Sequence, residues 1–304
     1  MAVAIALAAA VLFALGSVLQ QKAGLDQPEE SEGSSSGLLI RMAKHPVWIA
    51  GIVADGIGFV GQAVALTIGR LAVVQPILAT SMIFALPLGH RLTNQRIRRN
   101  DIAAAILVTV SLIAFLTIAN PSGGRDDAPV GEWLVLGAIS AGICVPLFLA
   151  SLKARPAIKA TLLGILTGIL FGISAALTKA VGDEVADNLF GVLVDWHLYA
   201  LIIVGYISMT TNQMALTTGV LAPALAASMA VDPITSVVIA TTLLQESLHE
   251  TTAGVIATLG ALGATLIGMA ILAQTSEGQV ASKPGSGTAL AKLDAEPEPA
   301  PEPA

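Results

Sequence analysis

Nine stretches of roughly twenty mostly apolar residues succeed one another along this chain, with polar turns between them. Nothing constrains the fold more. Lipid offers no partner for a free backbone N–H or C=O, so each stretch that enters a bilayer must satisfy its own hydrogen bonds as a helix. The stretches cover about 2–20, 47–68, 71–88, 102–119, 132–152, 158–181, 196–218, 220–244 and 251–274. The expected class is therefore an all-α polytopic membrane protein with nine transmembrane helices. Composition agrees: 55% of the 304 residues are hydrophobic and 12% are charged, against about 25% charged in globular domains. Trp48, Trp133 and Trp196 each fall at the start of a stretch, where amphipathic rings anchor at the interface.

Basic residues set the orientation. With the N-terminus outside, twelve Lys and Arg fall on one side, among them Lys22, Arg41, Lys44, Arg91, Arg96 and Arg98, and only Arg70, Arg125 and Lys179 on the other. The positive-inside rule then makes the C-terminus cytoplasmic. The start Met1-Ala2-Val3-Ala4-Ile5 lacks the basic residues of a signal peptide and reads as the first membrane helix. The loop from Asp26 to Ser36 is rich in Glu, Ser and Gly and reads as mobile. Residues 276–304, ending in Glu, Pro and Ala, hold too little apolar surface to fold and read as a disordered tail.

The two halves of the chain resemble each other. Phe13-Ala14-Leu15-Gly16 parallels Phe171-Gly172-Ile173-Ser174, and Gln62-Ala63-Val64-Ala65-Leu66 parallels Asn212-Gln213-Met214-Ala215-Leu216. Gly69 then matches Gly219, Leu71-Ala72 matches Leu221-Ala222, and Pro76 has its counterpart in Pro233. The first four spans (1–119) thus repeat as the last four (158–275). The fifth span, within a linker of residues 120–157, inverts the second unit. Inverted repeats with proline-interrupted helices at matching positions are a signature of secondary transporters, whose site lies near midplane where the repeats meet.

Asp232 heads the candidate site residues. It lies near the middle of the eighth stretch and is followed by Pro233, which should break or kink the helix there. An aspartate at that depth costs roughly 2.5–3.5 kcal/mol on insertion scales and is a functional candidate by default. Its structural alternative is an acid bonded to Ser228 or Thr235, or a protonated one. Asp55 is the second acid, sharing an i, i+4, i+7 face with Phe59 and Gln62. It reads as a second ligand or gate, or as an acid snorkelling toward the cytoplasm. The amides Gln62, Asn212, Gln213 and Gln75 could line a polar path or act as glue between helices, and Tyr206 could line the cavity or pack in the core. Lys179 reads as snorkelling, and Glu246 and Glu250 as a solvated helix end. A metal would fall to Asp232 and Asp55.

These residues exclude several classes. The lone Cys144 lies within an apolar helix and reads as a small buried hydrophobe, so neither a disulfide nor a Cys/His metal cluster is available. Four histidines near segment ends do not make a metalloenzyme. There is no nucleotide loop, no nucleophile with a base and no basic stripe for nucleic acid, so the chain does not read as an enzyme, and no cofactor is expected.

Further motifs carry a family likeness. The first half has Lys22-Ala23-Gly24 at a helix end, Pro46-Val47-Trp48 with Gly51, Gln62 with Ala65-Leu66, and Val74-Gln75-Pro76. The second has Lys179-Ala180, Asn212 with Ala215-Leu216, Asp232-Pro233, and Leu244 with Glu246. Together they resemble the drug/metabolite transporter (DMT) superfamily, EamA-like. The layout is most similar to its NIPA-type magnesium transporter branch. The family's Gly-Glu-Arg-Leu helix ending stands here as Gly89-His90-Arg91-Leu92, with His in place of Glu. The resemblance implies an alternating-access carrier in a plasma (inner) membrane, bacterial, whose partners are the bilayer and a transported ion or small solute. A homodimer is compatible with it. Cargo such as Mg²⁺ suits two acids and several amides, because hard ions take oxygen ligands. Proton-coupled export of a small metabolite or drug is the alternative. A membrane scaffold whose tail recruits a partner is the alternative of another class.

Overall fold

In the computed structural model the chain folds into one helical bundle, and residues 1–25, 45–93, 99–216, 218, 221–248 and 252–280 are described. Ten α-helices follow in order: α1 (Ala2–Leu25), α2 (Pro46–Thr67), α3 (Leu71–Ala79), α4 (Ser81–Thr93), α5 (Arg99–Ala119), α6 (Val130–Leu152), α7 (Pro156–Asp187), α8 (Trp196–Leu216), α9 (Leu221–Thr242) and α10 (Thr252–Val280). Six segments among the described residues are long and apolar enough to cross a membrane, α3 and α4 counting as one. Shorter apolar runs lie within α9 and α10, at Ala226–Thr242 and Gly254–Gly268. The protein is thus all-helical and of polytopic membrane character.

Two seams organise the bundle. α1 packs along α2 and against α3 and α4, and α7 packs along α9 and α8. The second seam rests on a glycine ladder, Gly164, Gly168 and Gly172, spaced one turn apart on α7. A Cβ added at Gly168 would stand 2.8 Å from the Ser228 carbonyl and 2.8 Å from Val231 Cβ, and one at Gly172 would stand 2.8 Å from Thr235 Cβ. Small residues let two backbones approach this closely, which is how helices associate where lipid supplies no hydrophobic drive. α5 packs on α10, and α3 packs on α9, which joins the halves. The peripheral α6 packs on α7 and buries only Trp133 and Ser151. Its Trp133 meets Trp196 and His197 at the start of α8 edge-on, and Asp127 accepts from Trp133 Nε1 at 2.9 Å.

The expected third span is split. α3 and α4 separate at Thr80, where the backbone N–H donates to the Ile77 carbonyl at 3.0 Å and the hydroxyl donates to the same oxygen. This tightened turn follows Pro76, which has no N–H to continue the ladder. The break therefore falls four residues beyond Pro76 and not at it. Pro233 also departs from expectation: α9 runs through it without interruption. A membrane helix tolerates proline because its φ is already helical and neighbouring helices hold the flanking turns. α7 runs to Asp187, past the expected end at 181. At 1.5 Å per residue its 32 residues span about 48 Å. α10 reaches Val280, so the expected disordered tail loses its first five residues to helix, and the rest of it lies outside the described residues. So does the loop from Asp26 to Ser36.

Candidate functional site

A cavity of about 610 Å³ lies between the two seams. The first half supplies Phe13 from α1, Phe59 and Gln62 from α2, and Gln75 and Leu78 from α3. The second supplies Phe171, Ser174 and Thr178 from α7, Gly205 and Asn212 from α8, and Ser228, Met229 and Asp232 from α9. Asp232 is the one charged group in this lining. The glycine ladder places it: the backbone N–H of Asp232 would lie 3.0 Å from a Cβ at Gly168, and its carbonyl 3.2 Å from one at Gly172. The carboxylate receives one hydrogen bond, from Ser236 Oγ to Oδ1 at 3.4 Å. That distance is beyond the usual range for a hydroxyl donor. Ser236, one helical turn on, takes the role expected of Ser228 or Thr235. Among the described residues no Lys, Arg or His pairs with Asp232.

Four of the seven residues singled out for the ion pathway line this cavity: Asp232, Gln62, Gln75 and Asn212. Three do not. Tyr206 is 74% exposed and lines a separate outer depression with Gln213. Tyr206 and Gln213 share one stripe of α8 at i, i+7, whereas Gly205 and Asn212 share the adjacent stripe that faces inward. Asp55 lies in the α1–α2 seam, where Gln20 Nε2 donates to Oδ2 and Gly16 leaves the space its carboxylate fills. It lies outside the cavity lining, so Asp55 and Asp232 do not form the two-acid site expected for a metal. Among the described residues no group of three or more His, Cys, Asp or Glu could hold a metal ion. Replacing Asp55 with Ala is expected to lower the melting temperature in detergent and to leave flux near wild type. A flux loss at unchanged stability would overturn that assignment.

A second polar cluster closes one end of the bundle, around a smaller cavity of about 310 Å³. Glu246 is buried and accepts from Leu71 N–H at 2.8 Å and Ala72 N–H at 3.1 Å, capping α3. Lys179 is buried too; its Nζ donates to the Leu66 carbonyl at 3.3 Å and pairs with Asp126 at 3.1 Å and Asp183 at 3.4 Å. Arg125 donates to the Leu243 carbonyl and pairs with Glu132. Beside them Ser122–Gly123 (β1) pairs antiparallel with Glu246–Ser247 (β2). The solvated helix end expected for Glu246 and the snorkelling expected for Lys179 are both overturned. In each case the chain folds back over the charge and offers backbone partners. In the sequence the turn Asn120-Pro121-Ser122-Gly123-Gly124 marks such a return, and Gly123 and Gly124 adopt the positive φ it allows. Glu250 lies outside the described residues.

Burial pushes the Glu246 carboxyl above its ordinary range, and the Ala72 and Leu71 amides and the Lys179 and Arg70 charges pull it partly back. A carboxyl raised on folding stabilises most below its unfolded value and loses that contribution as pH rises through the folded one. Wild type should therefore gain thermal stability relative to Glu246→Gln as pH falls from neutral into the mildly acidic range. Glu246→Ala leaves two buried N–H groups without an acceptor and should cost about 1–3 kcal/mol, more than Glu246→Gln. Melting curves of the three proteins across pH check both statements.

A protein of Corynebacterium glutamicum described as uncharacterized is 30% identical over 235 residues, covering 77% of this chain and 81% of its own length. The chain belongs to the same family as that protein. No family model matches the chain, and no solved structure does. The shared segment is long enough to take in most of the bundle, so the relative is expected to share its helical architecture.

Proposed function

We propose that the protein is an integral membrane transporter of the DMT type, moving a cation or small polar solute by alternating access through the cavity at Asp232. One observation carries this reading: a carboxylate within an apolar helical run, in a cavity between two halves of the bundle, with no cationic partner among the described residues. Desolvating such a group is costly unless something compensates. A cation or a proton from outside the protein is the natural compensation.

Nine spans arranged as two inverted four-helix repeats form part of the proposal, with α3 and α4 counted as one span and α6 as the connecting one. Its support is the way matched positions converge. Phe13 with Phe171, Gln62 with Asn212, and Gln75 with Asp232 are equivalent under the repeat, and all six line the same cavity. The orientation proposed from Lys and Arg puts the Glu246 cluster outside. An Mg²⁺ cargo has less support than the sequence offered, since Asp55 lies elsewhere and Mg²⁺ favours carboxylates and retained waters. Proton-coupled exchange is the second reading, favoured by the lone carboxylate.

Purified protein in liposomes, with cation and pH gradients imposed separately, tests the proposal. Solute flux that depends on one of the gradients and on Asp232 is expected. Absence of flux for every solute under both gradients would refute it.

A further inference from the structure

α8 carries polar side chains along the middle of its exposed face. Tyr199, Tyr206 and Gln213 are exposed and follow one another at intervals of seven residues, so they stay within about 20° of one line along the helix. The exposed faces of α2 and α6 are the reverse, with Ile52, Val53 and Val60 on one and Leu134, Ile139 and Leu149 on the other. Lipid covers such apolar faces without cost. α8 has the length of a span at 21 residues, yet it is not among the six segments apolar enough to cross a membrane. Two of its exposed polar residues are satisfied. The Tyr199 hydroxyl donates to the Leu193 carbonyl at 2.7 Å, and the Thr210 hydroxyl to the Tyr206 carbonyl at 2.8 Å. The Tyr206 hydroxyl and the Gln213 amide make no hydrogen bond among the described residues. They line a shallow depression of about 360 Å³ together with Met209 and Thr210. Tyr206 lies ten residues beyond Trp196, the first residue of α8, which is about 15 Å along the helix and close to the middle of a 30 Å hydrocarbon core. Tyrosine belongs at the membrane interface, and a hydroxyl or amide left unpaired in hydrocarbon is costly.

Resting on the nine-span arrangement above, in which α8 crosses the bilayer, we propose that this stripe is the seam of a homodimer, α8 against α8 of a second copy. Copies inserted in the same orientation are related by a two-fold axis along the membrane normal. Their α8 helices then run parallel, and each residue meets its own equivalent at the same depth. The stripe suits this partner on three counts. An amide and a hydroxyl each offer both a donor and an acceptor, so each pairs with its own copy. The seven-residue interval keeps the polar side chains on the shared line through a left-handed crossing, where they fix the register and the two-stranded state. Lipid supplies neither donor nor acceptor, and the apolar face of a different membrane helix would leave both groups unpaired. The opposite flank of α8 lines the Asp232 cavity through Gly205 and Asn212, so the two cavities of the dimer stand on either side of the seam.

The test counts photobleaching steps of full-length protein carrying one fluorophore per chain, in liposomes at graded protein-to-lipid ratios. Wild type should pass from two-step to one-step bleaching as it is diluted in lipid. Tyr206→Phe and Gln213→Leu remove the hydrogen-bonding groups and keep apolar bulk. Each should raise the dissociation constant at least about threefold, and Gln213→Asn, which restores an amide, should recover part of that loss. Melting curves verify that the variants are folded. In a Cys144→Ser background, Met209→Cys should give a disulfide-linked species of twice the chain mass under mild oxidation. Val145→Cys, on the exposed face of α6, should not. Four results would each overturn the seam: a wild type that is monomeric at every dilution, a dissociation constant unchanged in both variants, a crosslink at Val145→Cys in place of Met209→Cys, or an adduct of Met209→Cys with a different protein. A membrane-impermeant maleimide, applied to the diluted protein, separates this proposal from the one beneath it. If Met209→Cys resists labelling, α8 lies in the bilayer as the nine-span arrangement requires, and a failed dimer test removes the seam alone. Ready labelling would remove both.

Discussion

Asp232→Asn is expected to abolish flux in proteoliposomes while the protein remains folded. The substitution keeps the shape of the side chain and removes its charge. Little structure depends on that charge, since the carboxylate accepts only the long bond from Ser236 Oγ. The part of its insertion cost that comes from the charge, out of roughly 2.5–3.5 kcal/mol on translocon scales, is relieved. The melting temperature should therefore hold or rise even as transport stops. That opposition is diagnostic. A purely structural aspartate would lose stability first, and a spectator would lose neither. Wild-type flux in Asp232→Asn would end the assignment of the cavity as the transport site.

Gly168→Val is expected to have the largest effect on assembly. The added Cβ alone would stand 2.8 Å from both the Ser228 carbonyl and Val231 Cβ, and 3.0 Å from the Asp232 nitrogen. None of these is the yielding end of a flexible side chain, so α7 and α9 must separate. Overpacking of this kind typically costs 1–3 kcal/mol or more. Here it would also displace the backbone that carries Asp232, so yield, melting temperature and flux should fall together. Gly137→Ala on α6 is the matched control, because a Cβ there meets nothing within 4 Å. Its melting temperature and flux should match wild type. If Gly168→Val behaved like the control, the α7–α9 seam would not be the close contact described.

Much of the architecture was legible because hydropathy and proline are local signals. The helices occur where apolar length required them, and Asp232, Gln62, Gln75 and Asn212 converge on one cavity. What the sequence hid was rotation. Asn212 and Gln213 are adjacent amides, yet a step of 100° along α8 turns one into the cavity and the other onto the outer surface. Asp55 shares a face with Phe59 and Gln62, but it sits beside Gly16 and Gly51, where α1 closes onto α2 and the cavity ends. Glu246 and Lys179 were misread for a different reason. Glu246 takes backbone N–H groups of Leu71 and Ala72 and Lys179 the Leu66 carbonyl, all distant in sequence, and no side-chain pattern announces a backbone partner; the one partner within reach of sequence reading was Asp183, one turn beyond Lys179.

The pairing of Ser122–Gly123 with Glu246–Ser247 has a mechanical consequence. It ties the segment leaving α5 to the segment leaving α9, so neither helix end can swing without carrying or releasing the other. A ladder two residues long holds few hydrogen bonds, each worth about 1 kcal/mol net. That is enough to act as a detent, holding one position against small fluctuations and yielding to a larger push. If the two halves of the bundle move during a transport cycle, this small catch would add its few hydrogen bonds to the work of parting α5 from α9.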